Sequence, residues 1–115
     1  VLDMEIRSPK ALGGANDDFA NPEMLFAAGY AACFDSALNG VMRQEKVRKT
    51  TQVTAEVGIG ALETGGYGLC VDLQVNISDI DLEEAKKFVE KAHQVCPYSN
   101  ATRGNIEVKI SVTNN

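Results

Sequence analysis

Three thiols, one imidazole and one early carboxylate are the side chains in this sequence best suited to do chemistry: Cys33, Cys70, Cys96, His93 and Glu23. Cys33 closes the run MLFAAGYAACF (24–34), which contains no lysine, arginine or histidine. A thiolate is the nucleophile, and apolar surroundings push a thiol pKa up. Two readings of Cys33 follow. It is a buried packing residue, as free cysteines often are, or a nucleophile woken by a cation from elsewhere. Cys96 follows an amphipathic stretch and precedes Pro97. At a helix C-terminus the dipole disfavours a thiolate, so Cys96 suits a second step of thiol exchange, or simple packing. A Cys33–Cys96 bridge would close a loop of about 60 residues, a cross-link of about 4 kcal/mol in the chain-entropy picture. Cys70 alternates with Gly68, Asp72 and Gln74, away from the apolar positions.

His93 lies three residues before Cys96 and is either a base for that thiol or an ordinary hydrogen-bonded histidine. Arg103 either turns toward Cys96 or sits in a loop. Glu23 precedes Cys33 by ten residues, about 15 Å of rise on one helix. The two would meet only through a helix break or in a dimer, and Glu23 alone reads as a first-turn acid.

Regular elements must position these groups. Leu2, Met4 and Ile6 alternate with polar residues, a half-buried strand that Val1 opens. SPKALGGANDDFANP reads as a loop. Asn21 and Pro22 read as N-cap and first residue of a helix with Glu23 in its first turn, running to about Gln44. Its first half is apolar on every face and predicts burial all round. Gly29 predicts the close approach of another element. Val53 to Ile59 and Tyr67 to Ile77 alternate around ETGG as a hairpin. Asp81 and Glu84 form a capping-box pattern before a helix whose face is Leu82, Ala85, Phe88, Val89, Ala92 and Cys96, stopped by Pro97. Ile106 to Val112 make a last strand. The order βαββαβ predicts a single α+β domain over residues 1–115, with antiparallel sheet packed on two helices and the cysteine-bearing helix central and buried. Four strands cannot cover a helix that is apolar all round, so an obligate homodimer is expected.

The bulk numbers narrow the function classes. Of 115 residues 44% are hydrophobic, and the net charge is −5. That balance excludes non-specific nucleic-acid binding and attraction to an anionic membrane. The longest apolar run is too short to span a bilayer. An odd cysteine count without CxxC pairs is neither a secreted disulfide framework nor a zinc site, and reads as reduced, cytoplasmic thiols. Asp17, Asp18 and Glu23 match no metal loop, and GIGALETGG lacks the helix of a nucleotide fingerprint.

NPEMLFAAGYAACF (21–34) and AHQVCPYSNATRGNI (92–106) closely resemble the two cysteine motifs of the organic hydroperoxide resistance family, in the Ohr/OsmC superfamily. GIGALETGGYGL and the element order are also similar, so the likeness covers nearly the whole chain. The resemblance implies an intertwined OsmC-like homodimer and a cysteine peroxidase that reduces organic hydroperoxides, fatty-acid hydroperoxides included, to alcohols with no bound cofactor and no metal. It implies that Cys33 is the peroxidatic cysteine and Cys96 the resolving one, joined in a disulfide after turnover. A dihydrolipoyl group on a lipoyl-carrier protein, or another dithiol, would reduce that bridge. Glu23 matches the family's acidic partner of a catalytic arginine, which the family carries in a segment upstream of what is here Val1. The sequence is therefore expected to lack its N-terminal strand segment. Met24, Phe26, Phe34 and Tyr98 are expected to line an apolar pocket for bulky peroxides. Two alternatives remain on the same scaffold: an OsmC-type peroxidase of different peroxide preference, and a non-catalytic binder of hydrophobic ligands.

Overall fold

The computed structural model describes residues 2–115. Helix α1 spans Pro22–Gln44, strand β1 Thr51–Ala61, strand β2 Tyr67–Ile77, helix α2 Leu82–Val95, helix α3 Pro97–Thr102 and strand β3 Glu107–Thr113, with a single 3-10 turn at Lys10–Leu12 before them.

Local chemistry sets most of these boundaries. Asn21 caps α1, its Oδ1 accepting from the Met24 amide at 2.8 Å, and Pro22 takes the first helical position, where no amide partner is needed. Asp81 caps α2 by accepting from the Glu84 amide at 3.3 Å. The β1–β2 hairpin turns through Gly65 and Gly66, whose φ angles of 95° and 77° suit glycine. Leu62 and Gly66 close the turn with an amide-to-carbonyl bond of 3.0 Å.

The three strands form one sheet in the order β1-β2-β3. β1 and β2 are antiparallel, with Gly58 opposite Cys70 and Val53 opposite Val75. β3 runs parallel to β2, so the sheet is mixed, where the sequence suggested purely antiparallel pairing. The physical reason is the connection: α2 and α3 carry the chain back across the sheet before β3 begins, which is how parallel neighbours must be joined. Val71, Leu73, Val75 and Ile77 point inward and are buried, together with Tyr30, Phe34, Leu38 and Met42 of α1 and Ala85, Phe88, Val89 and Ala92 of α2.

One expectation is corrected here. Leu2, Met4 and Ile6 do not form a half-buried strand: they are 76%, 47% and 45% exposed, and only Ile6 makes a bridge, to Ala20. Alternation supplies one apolar face, but a strand also needs a neighbour with which to share its amides, and no described strand lies beside this segment. Val1, read as strand, lies outside the described residues. As expected for a helix that one chain cannot cover, α1 is not buried all round in the single chain. The row Met24, Ala28, Ala32, Ser36, spaced four residues apart, is exposed on the side away from the core. One sheet and one antiparallel helix cover only one side of a cylinder.

Candidate active site

Cys33 and Cys96 meet. Cys33 lies midway along α1 and is half-buried; Cys96 is fully buried at the end of α2; their Sγ atoms are 3.5 Å apart, both as free thiols. The apolar faces of α1 and α2 bring them together, as each helix packs its own cysteine into the same seam.

Cys96 has an environment that the sequence reading missed. It ends α2 and is also the residue before α3, with φ −60° and ψ 122°. The extended ψ is what a following proline imposes. Pro97 therefore both stops α2 and opens α3, and the signal was present: proline is a preferred first helical residue. The consequence reaches Cys33. The Tyr98 backbone amide, one of the donors that a helix start leaves without an internal partner, favours the ionised form of the Cys33 thiol. The larger influence is burial, which pushes the Cys33 pKa up; the adjacent Cys96 pushes it up further. The net direction is upward from the ordinary thiol value of 9.0. None of the groups acting on Cys33 among the described residues is a cation.

Aromatic rings wall the site. Phe26, Tyr30 and Tyr98 pack mutually with centroids 5.7 to 6.0 Å apart. Tyr98 crosses α1 at Gly29, where a Cβ would lie 3.1 Å from its hydroxyl oxygen. The close approach expected at Gly29 is thus made by α3. Phe34 lies one turn beyond Tyr30 on the same face of α1. It has no exposed surface and belongs to the core cluster of α1, α2 and β2, so it is corrected from a pocket residue to a packing residue. Met24 is 54% exposed and borders a hollow of about 370 Å³ shared with Glu23, Ala27, Ala55, Val57 and Ile59.

Glu23 sits at the start of α1, and its Oε2 is buried with no hydrogen-bond partner among the described residues. Because α1 is unbroken, Glu23 is far from Cys33 on the same chain, about 15 Å along the helix axis. A buried, unpaired carboxylate oxygen is costly, so this position calls for a donor. Cys70 is exposed on the outer face of β2, clear of both other thiols.

His93 and Arg103 take structural partners. His93 Nδ1 bonds Ser99 Oγ at 2.8 Å, and the Arg103 guanidinium donates to the His93 carbonyl at 2.6 Å and to Asn100 Oδ1 at 2.7 Å. His93 is thus the hydrogen-bonded histidine and not a base on Cys96, and Arg103 fastens the end of α2. Burial and then the Arg103 charge hold the His93 pKa below its ordinary 6.5, against the pull of Glu90. A folded-state pKa below the unfolded one means that the unfolded chain takes up the proton first. Stability is therefore expected to be level above pH 6.5 and to fall as pH drops below it. Denaturant midpoints measured across that range should flatten in His93→Asn.

No three His, Cys, Asp or Glu side chains converge as metal ligands would among the described residues. None of the described helices is long and apolar enough to cross a membrane.

Known proteins are similar to this chain in sequence and fold. The sequence model of the OsmC-like proteins matches residues 14–111. An organic hydroperoxide resistance protein of Xanthomonas axonopodis pv. citri is 49% identical over 114 residues, covering 97% of this chain and 80% of that protein. The organic hydroperoxide resistance protein OhrA of Bacillus subtilis is 48% identical, covering 97% of this chain and 81% of its own. Among solved structures, an organic hydroperoxide resistance protein of Elizabethkingia anophelis superposes with a TM-score of 0.97 at 66% identity, covering 100% of this chain and 83% of that one. OhrB of Bacillus subtilis gives a TM-score of 0.87 at 43% identity, with 97% and 83% covered.

Proposed function

This chain belongs to the organic hydroperoxide resistance proteins of the OsmC-like family, and from that membership we propose that it is a thiol peroxidase in which Cys33 is the peroxidatic and Cys96 the resolving cysteine. The observation that carries the reading is the pair of free thiols 3.5 Å apart. The Cys33 thiolate attacks the terminal oxygen of a hydroperoxide, the O–O bond breaks, the alcohol leaves with a proton, and Cys33 is left as a sulfenic acid. Cys96 then displaces water and forms the disulfide. A dithiol, for which a dihydrolipoyl group on a carrier protein is the proposed source, exchanges with that bridge and becomes a cyclic disulfide itself.

Two features of the chain bear on how Cys33 is activated. Burial raises its pKa, so a cation must offset that effect at neutral pH. The orphaned Glu23 oxygen is suited to hold one, an arginine guanidinium by the family resemblance. Since Glu23 cannot reach its own Cys33, the ion pair meets a Cys33 in a second copy of the chain. The bare row Met24, Ala28, Ala32, Ser36 is small enough to let that copy approach closely, in the proposed homodimer.

The apolar walls of Phe26 and Tyr98 favour bulky substrates. The protein is expected to turn over tert-butyl and linoleic hydroperoxides at least about tenfold faster than hydrogen peroxide, as burying a few methylene groups allows. Equal rates would remove the substrate assignment. The raised thiol pKa favours one second reading, a binder of hydrophobic ligands with structural thiols; absence of turnover with all three peroxides would select it.

A further inference from the structure

Directly behind the two cysteines lies a buried cluster of polar side chains that the proposed chemistry does not use. The Tyr30 hydroxyl lies 2.8 Å from Ser99 Oγ and 3.2 Å from Thr102 Oγ1, and Ser99 Oγ lies 2.8 Å from His93 Nδ1. Tyr30 and Ser99 have no exposed surface and Thr102 is 5% exposed. Tyr30 belongs to α1, one turn before Cys33; His93 belongs to α2, one turn before Cys96; Ser99 and Thr102 belong to α3. The cluster is thus a junction of α1, which carries Cys33, with α2 and α3, which meet at Cys96.

Each of its three hydroxyl protons finds an acceptor. Thr102 donates to the Ser99 carbonyl at 3.2 Å. With His93 neutral and its Nδ1 accepting, Ser99 donates to His93 and Tyr30 donates to Ser99. Such closure matters because α3 has six residues, and a helix so short has no stability of its own. What fixes α3 against its neighbours fixes the Cys96–Pro97 corner, and with it the 3.5 Å sulfur separation and the Tyr98 amide at Cys33.

We propose that His93 and Tyr30 are positioning residues that pin α3, through Ser99, to α2 and α1, so that oxidised Cys33 closes on Cys96 before a second hydroperoxide reaches it. The inference rests on the proposed function. Two reactions compete for the same sulfenic acid. In the first, Cys33–SOH and Cys96–SH form the S–S bond, the S–O bond breaks, and hydroxide leaves with the Cys96 proton as water. In the second, a further hydroperoxide oxidises Cys33–SOH to the sulfinic acid and leaves as the alcohol. The first has no concentration dependence and is governed by where Cys96 sits. A disulfide needs the sulfurs at ~2.05 Å, so the corner must start near and move little.

The two pins can be cut separately without stranding a buried hydroxyl. In His93→Leu, Ser99 turns its proton to Tyr30 and Tyr30 donates to Thr102. In Tyr30→Phe, Ser99 keeps His93 and Thr102 keeps the Ser99 carbonyl. The experiment treats the intact protein with a fixed excess of tert-butyl hydroperoxide and measures by mass spectrometry the ratio of sulfinic acid at Cys33 to Cys33–Cys96 disulfide. That ratio is taken within the oxidised population, so a slower first step or a lower overall stability does not move it. His93→Leu and Tyr30→Phe are each expected to raise the ratio about tenfold, the effect of losing roughly one buried hydrogen bond. His93→Asn, which keeps an acceptor near the Nδ1 position, is expected to restore most of the wild-type ratio. Wild-type ratios in both cut variants, or His93→Asn no better than His93→Leu, would overturn the pinning while leaving the peroxidase reading intact. A wild-type protein that forms no bridge with any hydroperoxide overturns the proposed function, and the inference with it.

Discussion

Cys33→Ser is expected to bring reduction of organic hydroperoxides down to background, a loss on the order of a thousandfold or more, because the covalent route disappears with the nucleophile. A serine hydroxyl has no accessible anion near neutral pH and no affinity for a peroxide oxygen. Cys96→Ser should behave differently. The first equivalent of hydroperoxide is still reduced, since Cys33 and the Tyr98 amide beside it remain. Turnover then stops at the sulfenic acid, and excess peroxide drives Cys33 to the sulfinic acid. A burst assay separates the two variants: no burst for Cys33→Ser, one equivalent for Cys96→Ser. The contrast follows from their positions, with Cys33 half-exposed to incoming peroxide and Cys96 buried behind it, 3.5 Å away. A full burst in Cys33→Ser would show that another thiol reacts, and exposed Cys70 would then be the first to examine.

Phe34→Ala is expected to cost about 3–5 kcal/mol of folding stability, a large share of the roughly 5–15 kcal/mol that a domain of this kind holds in all. Phe34 is fully buried between α1, the sheet and α2. Truncation leaves a cavity in a close-packed region that relaxes only in part. Guanidinium midpoints measured at one fixed protein concentration should report it, since association would otherwise shift the apparent stability. The same variant also tests the reassignment of Phe34. A pocket-lining phenylalanine would alter the ratio of rates for linoleic and tert-butyl hydroperoxides at little cost in stability. A core phenylalanine does the reverse.

Much of the fold was legible because it is written in local chemistry. The Asn21–Pro22–Glu23 start of α1, the Asp81 cap of α2, the glycine turn of the hairpin and the inward alternation along β2 each depend on residues a few positions apart. The thiol pairing was legible in part, since a cysteine on the apolar face of each long helix must point at a shared core. Two kinds of feature escaped. One was α3, hidden because a single proline both stops one helix and begins the next. The other was the set of features that depend on what lies across space: the parallel entry of β3 and the unpaired segment around Met4. No nearby residue encodes a neighbouring strand or a covering surface.

Residue types and spacing therefore decide that this chain is an α+β domain with two thiols aimed at one seam and an apolar helix too greasy to stand alone. Hydrophobic periodicity and capping act over one or two turns, and they suffice for that. Only the tertiary structure decides that the sulfurs lie at 3.5 Å, that the Tyr98 amide faces Cys33, that Glu23 keeps an unanswered oxygen, and that Phe34 serves the core and not the pocket. Each of these depends on how three helices cross. That crossing is set by packing and by buried hydrogen bonds between residues some seventy positions apart, such as Tyr30 and Ser99, which periodicity along the chain does not encode.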